Sequence, residues 1–314
     1  MQKILIIKHG AFGDFIHQLS YMKTIRALHP DAEITLITAT SQKKLAKSTG
    51  YFDKIVIDDR NYNPSDWYRI IKKTIVDGHY DFIYNLQGSA RVVKKYLPLA
   101  RLASSHNLII RYPSKPGAQD NMTEETLIKK YPCTWGKKET RTYHLDLIAE
   151  DMSFCQLSNE VKQALPKEKF VLMIPGCSKG HDFKRWNPEN YGRLAALLSE
   201  KGIASVIIGT ASEKENIEKI MEYAPKSVNL MNKTQMTDIP PLGSLALVTI
   251  GNDTGPMHFV ATSKHKTIAL FSPQTAYAQD KSDNVINFVG QSSINDIKVE
   301  DVLQTVLSLN NAKD

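Results

Sequence analysis

Three stretches of this chain place glycines, charges and hydroxyls where an apolar run gives way to a helical pattern. The first reads Lys8-His9-Gly10-Ala11-Phe12-Gly13-Asp14. Its glycines allow a tight turn, and a helix starting there presents unpaired N–H groups to whatever binds. Asp14, where that helix begins, either caps it or faces a ligand at the carboxyl end of a parallel sheet. The second runs from Pro175 to Pro188 and gathers Ser178, Lys179, Lys184 and Arg185 ahead of a helix. A hydroxyl, cations and free amides together suit a phosphate, while Trp186 and Pro188 read as packing residues. The third is Gly251-Asn252-Asp253-Thr254-Gly255-Pro256-Met257-His258. Thr254 and Gly255 can offer amides to a phosphate, whereas Asp253 would repel one and so suits a hydroxyl or a cap. His258, one turn into the helix, is either a structural histidine or a ligand contact.

The elements that must position these turns alternate along the chain. Lys3–Lys8, Glu33–Ala39, Lys54–Ile57 and Phe82–Leu86 read as strands, and Phe15–Leu28, Ser41–Ser48 and Trp67–Val76 as helices. From Ser104 to Trp135 the rhythm is lost, with only Glu124–Tyr131 helical in pattern. It resumes with strands at Phe170–Ile174, Ala204–Ile208, Ser227–Leu230, Leu245–Ile250 and Thr267–Phe271. Helices are expected over Pro188–Lys201 and Glu213–Tyr223, from Pro256 onward, and over Val299–Leu309. Such alternation implies parallel sheets covered by helices on both faces, here as two Rossmann-like halves. The expected division is residues 1–160, 161–298 and a terminal helix over 299–314.

Composition narrows the function classes. The 314 residues are 42% hydrophobic and 23% charged, as in an ordinary soluble globular protein. No apolar run reaches the roughly 18 residues that span a bilayer. The opening apolar run breaks after four residues, so we read it as a first strand rather than a signal peptide. Cys133, Cys155 and Cys177 are widely spaced without a CxxC pair, which argues against a disulfide framework and for a reducing cytoplasm. A net charge of +7 favours anionic partners, yet its lysines lie in scattered pairs such as Lys43-Lys44 and Lys72-Lys73. No nucleic-acid motif accompanies them. The nine histidines contain no H-E-x-x-H set, so no protein-held metal is expected. G-x-G-x-x-G, Walker A and G-x-S-x-G sequences are all missing, which sets aside dinucleotide, P-loop and hydrolase-triad chemistry.

Taken together, the three turns resemble glycosyltransferase family 9, the lipopolysaccharide heptosyltransferases. The resemblance is carried by Ile4–Lys8 with Gly13-Asp14, by His29-Pro30-Asp31-Ala32-Glu33-Ile34 and by Leu86-Gln87-Gly88. It continues through Pro175-Gly176-Cys177-Ser178, Lys184-Arg185-Trp186-Asn187-Pro188-Glu189 and Asn252–His258, in register over nearly the whole chain. It implies an α/β GT-B fold: two Rossmann-like domains with parallel sheets facing a central cleft. In that likeness the first domain is on the acceptor side, the second holds the nucleotide sugar, and the terminal helix packs back on the first. It also implies inverting transfer of a heptose from ADP-heptose to the inner core of lipopolysaccharide. Asp14 matches the family's general base, with Gly13 beside it on the acceptor side. Lys184 matches the lysine at the donor diphosphate, with Ser178 in the same loop. Glu213 is similar to the acid that holds the adenosine ribose. Thr254 and Gly255 match the amides at the diphosphate, Asp253 the contact to the sugar and His258 the motif histidine.

Implied partners are the nucleotide-sugar donor, a lipid-linked saccharide acceptor and an anionic membrane surface, without nucleic acid. The ADP-sugar is a co-substrate, so no cofactor is expected and magnesium is at most a non-essential addition. The location implied is cytoplasmic, at most peripheral at the inner face of the inner membrane. Gln274-Thr275-Ala276-Tyr277 departs from the family pattern at the segment expected to face the donor sugar. That departure keeps open a GT-B transferase using another nucleotide sugar for a different surface glycan. A non-catalytic sugar-nucleotide-binding relative is the reading from another class.

Overall fold

The computed structural model describes residues 1–59, 63–86, 108–111, 148–178 and 180–311. The helix expected over Glu124–Tyr131, together with Gln87-Gly88, Cys133 and Lys179, lies outside these residues. The chain divides into two units, Met1–Glu150 and Asp151–Asp314.

The first unit is built on a five-stranded sheet in the order β3-β2-β1-β4-β5. Its strands are β1 (Lys3–Ile7), β2 (Glu33–Thr38), β3 (Lys54–Ile57), β4 (Phe82–Asn85) and β5 (Leu108–Arg111), every pair parallel. β1 lies at the centre, with Ile7 opposite Ile37 of β2 and Asn85 of β4. Its residues alternate between faces, as a strand buried on both sides requires. Leu5 and Ile7 pack with Ile71 and Ile75 of α4 (Pro64–Ile75). The helix expected over Phe15–Leu28 is two, α1 (Phe12–Ile16) and α2 (Leu19–Leu28). The Gln18 N–H donates to Phe15 O rather than one residue further back, which tightens the backbone and closes the first helix. α3 (Thr40–Thr49) completes the described helices of this unit. β5 falls in the stretch where the sequence shows no rhythm.

The second sheet has six strands in the order β11-β10-β9-β6-β7-β8. They are β6 (Phe170–Ile174), β7 (Ala204–Ile207), β8 (Val228–Asn229), β9 (Thr249–Asn252), β10 (Thr267–Phe271) and β11 (Val285–Val289). All pairs are again parallel. Numbered within the unit, this is the doubly wound order whose direction reverses between its first and fourth strands, here β6 and β9. Val171 and Met173 join the core formed with α6 (Pro188–Glu200) and α7 (Lys214–Tyr223). Phe170, Leu172 and Ile174 face α5 (Asn159–Ala164), α8 (Ile239–Leu245) and α9 (Gly255–Thr262).

Three expectations need correction, and one further strand was not foreseen. The apolar stretch Leu245–Ile250 is not one strand, because Leu245 ends α8 and β9 begins at Thr249. Prolines 240 and 241 hide that helix in the sequence, although its first turn tolerates them. β11 also escaped the sequence reading. The expected division near residue 160 falls earlier, since Leu157 and Val161 belong to the second core. Finally, α10 (Val299–Asn311), expected as a separate terminal segment, belongs to the second unit. Val299, Val302, Leu303 and Val306 lie at helical spacing and join the second unit's core, packed on α6.

Candidate active site

In a doubly wound sheet, ligands bind outside the carboxyl ends of the strands where the winding reverses. In the second unit that position is flanked by the loops leaving β6 and β9. One fully buried side chain ties them together. Asn252, the last residue of β9, accepts from Trp186 N–H (3.2 Å) and Tyr191 O–H (3.0 Å). Its amide donates to Pro175 O (2.8 Å) and Gly176 O (3.1 Å). The sequence reading missed this role; the signal was a lone amide at a strand end between glycine-containing turns. Trp186 packs as expected, fully buried against the Tyr191 ring, with its indole N–H donating to Ile297 O at 3.0 Å.

Three predicted site residues meet there. A 3₁₀ turn over Asp182–Lys184 delivers Lys184, whose Nζ donates to Asp253 Oδ2 at 2.7 Å. His258 Nε2 donates to the other carboxylate oxygen at 2.9 Å. Burial pushes the Asp253 carboxyl up, but bonds from His258 and Lys184 outweigh it and hold the group below its ordinary 3.8. Asp253 is therefore not the cap of α9. That position belongs to Thr254, whose side chain makes no capping bond. The first backbone bond inside α9 is from His258 N–H to Thr254 O, so the amides of Gly255 and Met257 have no helical acceptor. Amides, a cation and a helix N-terminus converge on one place.

Glu213 lies on the loop after β7. Its Oε2 accepts from Thr210 N–H (2.8 Å) and Thr210 O–H (2.6 Å), and its Oε1 from Ser212 O–H (2.7 Å). The pattern is a capping box, and Oε1 retains room for one further donor. Burial raises the Glu213 carboxyl, while the Thr210 and Ser212 bonds and the Arg185 charge bring it below 4.5. Ser178 is exposed, and its carbonyl accepts from His181 N–H at 3.1 Å. The structure brings neither residue into the hydrogen-bonded group around Asp253. The 3₁₀ segment Pro273–Ala278 leaves Thr275 buried and Tyr277 exposed.

In the first unit, Gly13 and Asp14 sit within α1, which starts earlier than expected. The N-cap is Ala11, so Asp14 is not the cap. Its carboxylate is exposed, and among the described residues no hydrogen bond or ion pair engages it. Gly10 adopts φ +112°, and a Cβ there would come within 3.1 Å of Asp14 Oδ2. The turn therefore needs glycine both for its backbone and for the carboxylate beside it. Lys8, immediately after β1, is buried, and burial lowers its pKa to about 8 against the raising field of Asp14.

Comparison with known proteins agrees with this architecture. Among solved structures, E. coli ADP-heptose lps heptosyltransferase II aligns with a TM-score of 0.71 at 20% identity, covering 99% of each chain. E. coli heptosyltransferase WaaC with ADP-2-deoxy-2-fluoro heptose aligns at 0.69 and 15%, covering 98% of this chain and 99% of that one. These likenesses establish the GT-B fold. Lipooligosaccharide heptosyltransferase 2 of Campylobacter jejuni is 28% identical over 128 residues, which is 38% of this chain and 40% of that protein. Lipopolysaccharide heptosyltransferase 2 of Salmonella typhimurium is 26% identical over 149 residues, 46% of this chain and 40% of that protein. The chain thus spans 40% of the length of these curated relatives. The profile of glycosyltransferase family 9 (heptosyltransferase) matches residues 126–299, more than half of the chain and the whole of the stretch from β6 to β11. On that match the chain belongs to glycosyltransferase family 9.

Proposed function

We propose that the protein is an inverting glycosyltransferase that moves a heptose from ADP-heptose to the inner core of lipopolysaccharide. The carrying observation is the group Lys184, Asp253 and His258 at the amino end of α9. A cation and free amides at a helix N-terminus suit the diphosphate of a nucleotide sugar, and E. coli WaaC, a fold relative, has been solved with ADP.

In the proposed reaction the acceptor oxygen bonds to the anomeric carbon as Asp14 takes the hydroxyl proton. The bond from that carbon to the phosphate oxygen breaks, and ADP leaves with the electron pair. Lys184 and the amides of Gly255 and Met257 stabilise the charge that develops on it. Asp253, ionised and fixed by two donors, accepts hydrogen bonds from donor-sugar hydroxyls. Glu213 takes the ribose at its remaining acceptor position. No cofactor has a part in this scheme, and magnesium is at most a non-essential addition.

The acceptor is a lipid-linked saccharide met at an anionic membrane surface, on the cytoplasmic side of the inner membrane. Supporting this are the net charge of +7 and the exposed Lys43, Lys44 and Lys47 of α3. Among the described residues no helix is long and apolar enough to cross a membrane. Sedimentation with anionic vesicles should fall as salt rises; binding indifferent to salt would remove this part of the reading.

The deciding experiment is thermal stabilisation by ADP, UDP, GDP, CMP and NADH, since a ligand of the folded state raises the melting temperature. A shift for ADP alone, followed by turnover with ADP-heptose, is expected. The departure at Gln274–Tyr277 favours one second reading, another nucleotide sugar, which a shift for UDP or GDP would select. A response only to NADH would overturn the proposal.

A further inference from the structure

We infer that Arg185 is a second phosphate-binding cation of this site, placed for the phosphate nearer the nucleoside. The inference rests on the nucleotide-sugar reading above. Its starting point is a mismatch between donors and acceptors. The Arg185 side chain is 19% exposed, yet its Nε and Nη2 point at the Cys177 thiol, 3.3 and 3.1 Å away. Its remaining partner among the described residues is Asp182 Oδ1 at 3.4 Å, on a carboxylate that is 80% exposed. Sulfur is a weak acceptor and a solvated ion pair contributes little. A guanidinium offers a planar fork of strong donors that matches a phosphate bidentately, and among the described residues that fork meets only a thiol and one long, solvated carboxylate contact.

The sheet order gives the direction. β6 lies between β9 and β7. Lys184 reaches toward the β9 side, to Asp253. Arg185 turns back to Cys177 on the β6 loop, and its charge reaches Glu213 on the β7 side. Adjacent residues thus send cations to opposite sides of the same strand end. A nucleoside diphosphate with its ribose at Glu213 and its outer phosphate at α9 would pass Arg185 first and Lys184 second. On binding, the guanidinium exchanges the thiol for phosphate oxygens, and no covalent bond changes.

The experiment measures affinities of the full chain for ADP, AMP and adenosine by calorimetry, in wild type, Arg185→Gln, Arg185→Lys and Lys184→Ala. Arg185→Gln should weaken ADP and AMP alike by about 10- to 100-fold and leave adenosine unchanged. Lys184→Ala should weaken ADP more than AMP. Arg185→Lys keeps the charge without the fork and should recover part of the loss, and it also serves if the glutamine variant does not fold. Unchanged ADP affinity in both Arg185 variants, with the Lys184 effect present, overturns this inference alone. Equal losses for adenosine and ADP also overturn it, because the residue would then be shaping the nucleoside pocket. A wild type that binds no nucleoside diphosphate overturns the functional reading, and this inference with it.

Discussion

Each unit sets a lysine and an aspartate beside the carboxyl end of a central strand, and the two pairs are built in opposite ways. In the second unit Lys184 and Asp253 touch at 2.7 Å, and His258 completes the carboxylate's partners. In the first unit Lys8 is 1% exposed with no ion pair or hydrogen bond to its ammonium among the described residues, while Asp14 stands in solvent. One arrangement neutralises its charges internally. The other leaves a carboxylate open to receive a proton, with a desolvated cation nearby. On the proposed reading, a binding site and a reactive group make different demands on the same loop position of the same fold.

The sharpest break between the two is expected from the aspartates. Asp14→Asn should lower turnover by roughly 10²–10⁴ while ADP affinity persists, because the amide cannot take the acceptor proton. Equal loss of ADP binding would show that Asp14 is not separable from the donor site. Lys184→Ala tests the opposite unit. It leaves Asp253 buried beside His258 alone, so we expect about 2–4 kcal/mol of lost stability together with weaker ADP binding. The pH dependence has a defined sign. The folded Asp253 carboxyl sits below its ordinary 3.8, so its contribution is present above pH 4 and is lost as pH falls through the folded value. In Lys184→Ala that acid limb should shrink in urea titrations at pH 3 and 7. An unchanged limb would detach Asp253 from the stability of its unit.

Lys8→Met should act the other way. The folded lysine releases its proton near pH 8, whereas the unfolded chain holds it to 10.5. Between those values the unfolded state binds more protons, so wild-type stability rises with pH, and the cost of the buried charge is fully present below 8. Removing it should stabilise the first unit by about 3 kcal/mol at pH 7 and flatten that alkaline rise. A loss of turnover alongside that gain would assign the retained charge to function rather than folding. Destabilisation by Lys8→Met would instead mean that the ammonium has an acceptor in the folded protein.

How far this contrast could be read from the sequence differs between the units. The strands Phe170–Ile174 and Thr267–Phe271 stand where the apolar runs place them, because a strand buried on both faces is written as a continuous run. Lys184, Asp253 and His258 were singled out because their motifs are dense in turn and charge signals. That they touch one another was not, since the contacts join loops 69 residues apart. The burial of Lys8 was equally hidden: it reads as a strand's polar end, yet it is 1% exposed in the folded unit. β5 and α8 escaped because one lies in a stretch without rhythm and the other begins with two prolines. Asn252 looked like a turn residue, and its four hydrogen bonds make it the clamp of the site.

The smallest effects should come from the glycines, and they extend the contrast to the backbone. Gly10→Ala forces a side chain onto φ +112° and toward Asp14 Oδ2, so it should cost about 1–2 kcal/mol and disturb turnover. Gly176 has no positive φ, and an alanine there would restrict the unfolded chain, a gain of about 0.4–1 kcal/mol. Its Cβ, however, would lie 3.2 Å from Glu213 Cγ and 3.3 Å from Cδ. Those atoms cannot retreat freely, because Thr210 and Ser212 hold both carboxylate oxygens. The capping box must loosen, and the two effects leave a net loss of about 1 kcal/mol, or ~3 °C in melting temperature. Nucleoside affinity should fall with it, and turnover at saturating donor should not. If Gly176→Ala is instead stabilising and binds ADP as wild type does, Glu213 has room to move, and its place in the nucleoside site loses its support.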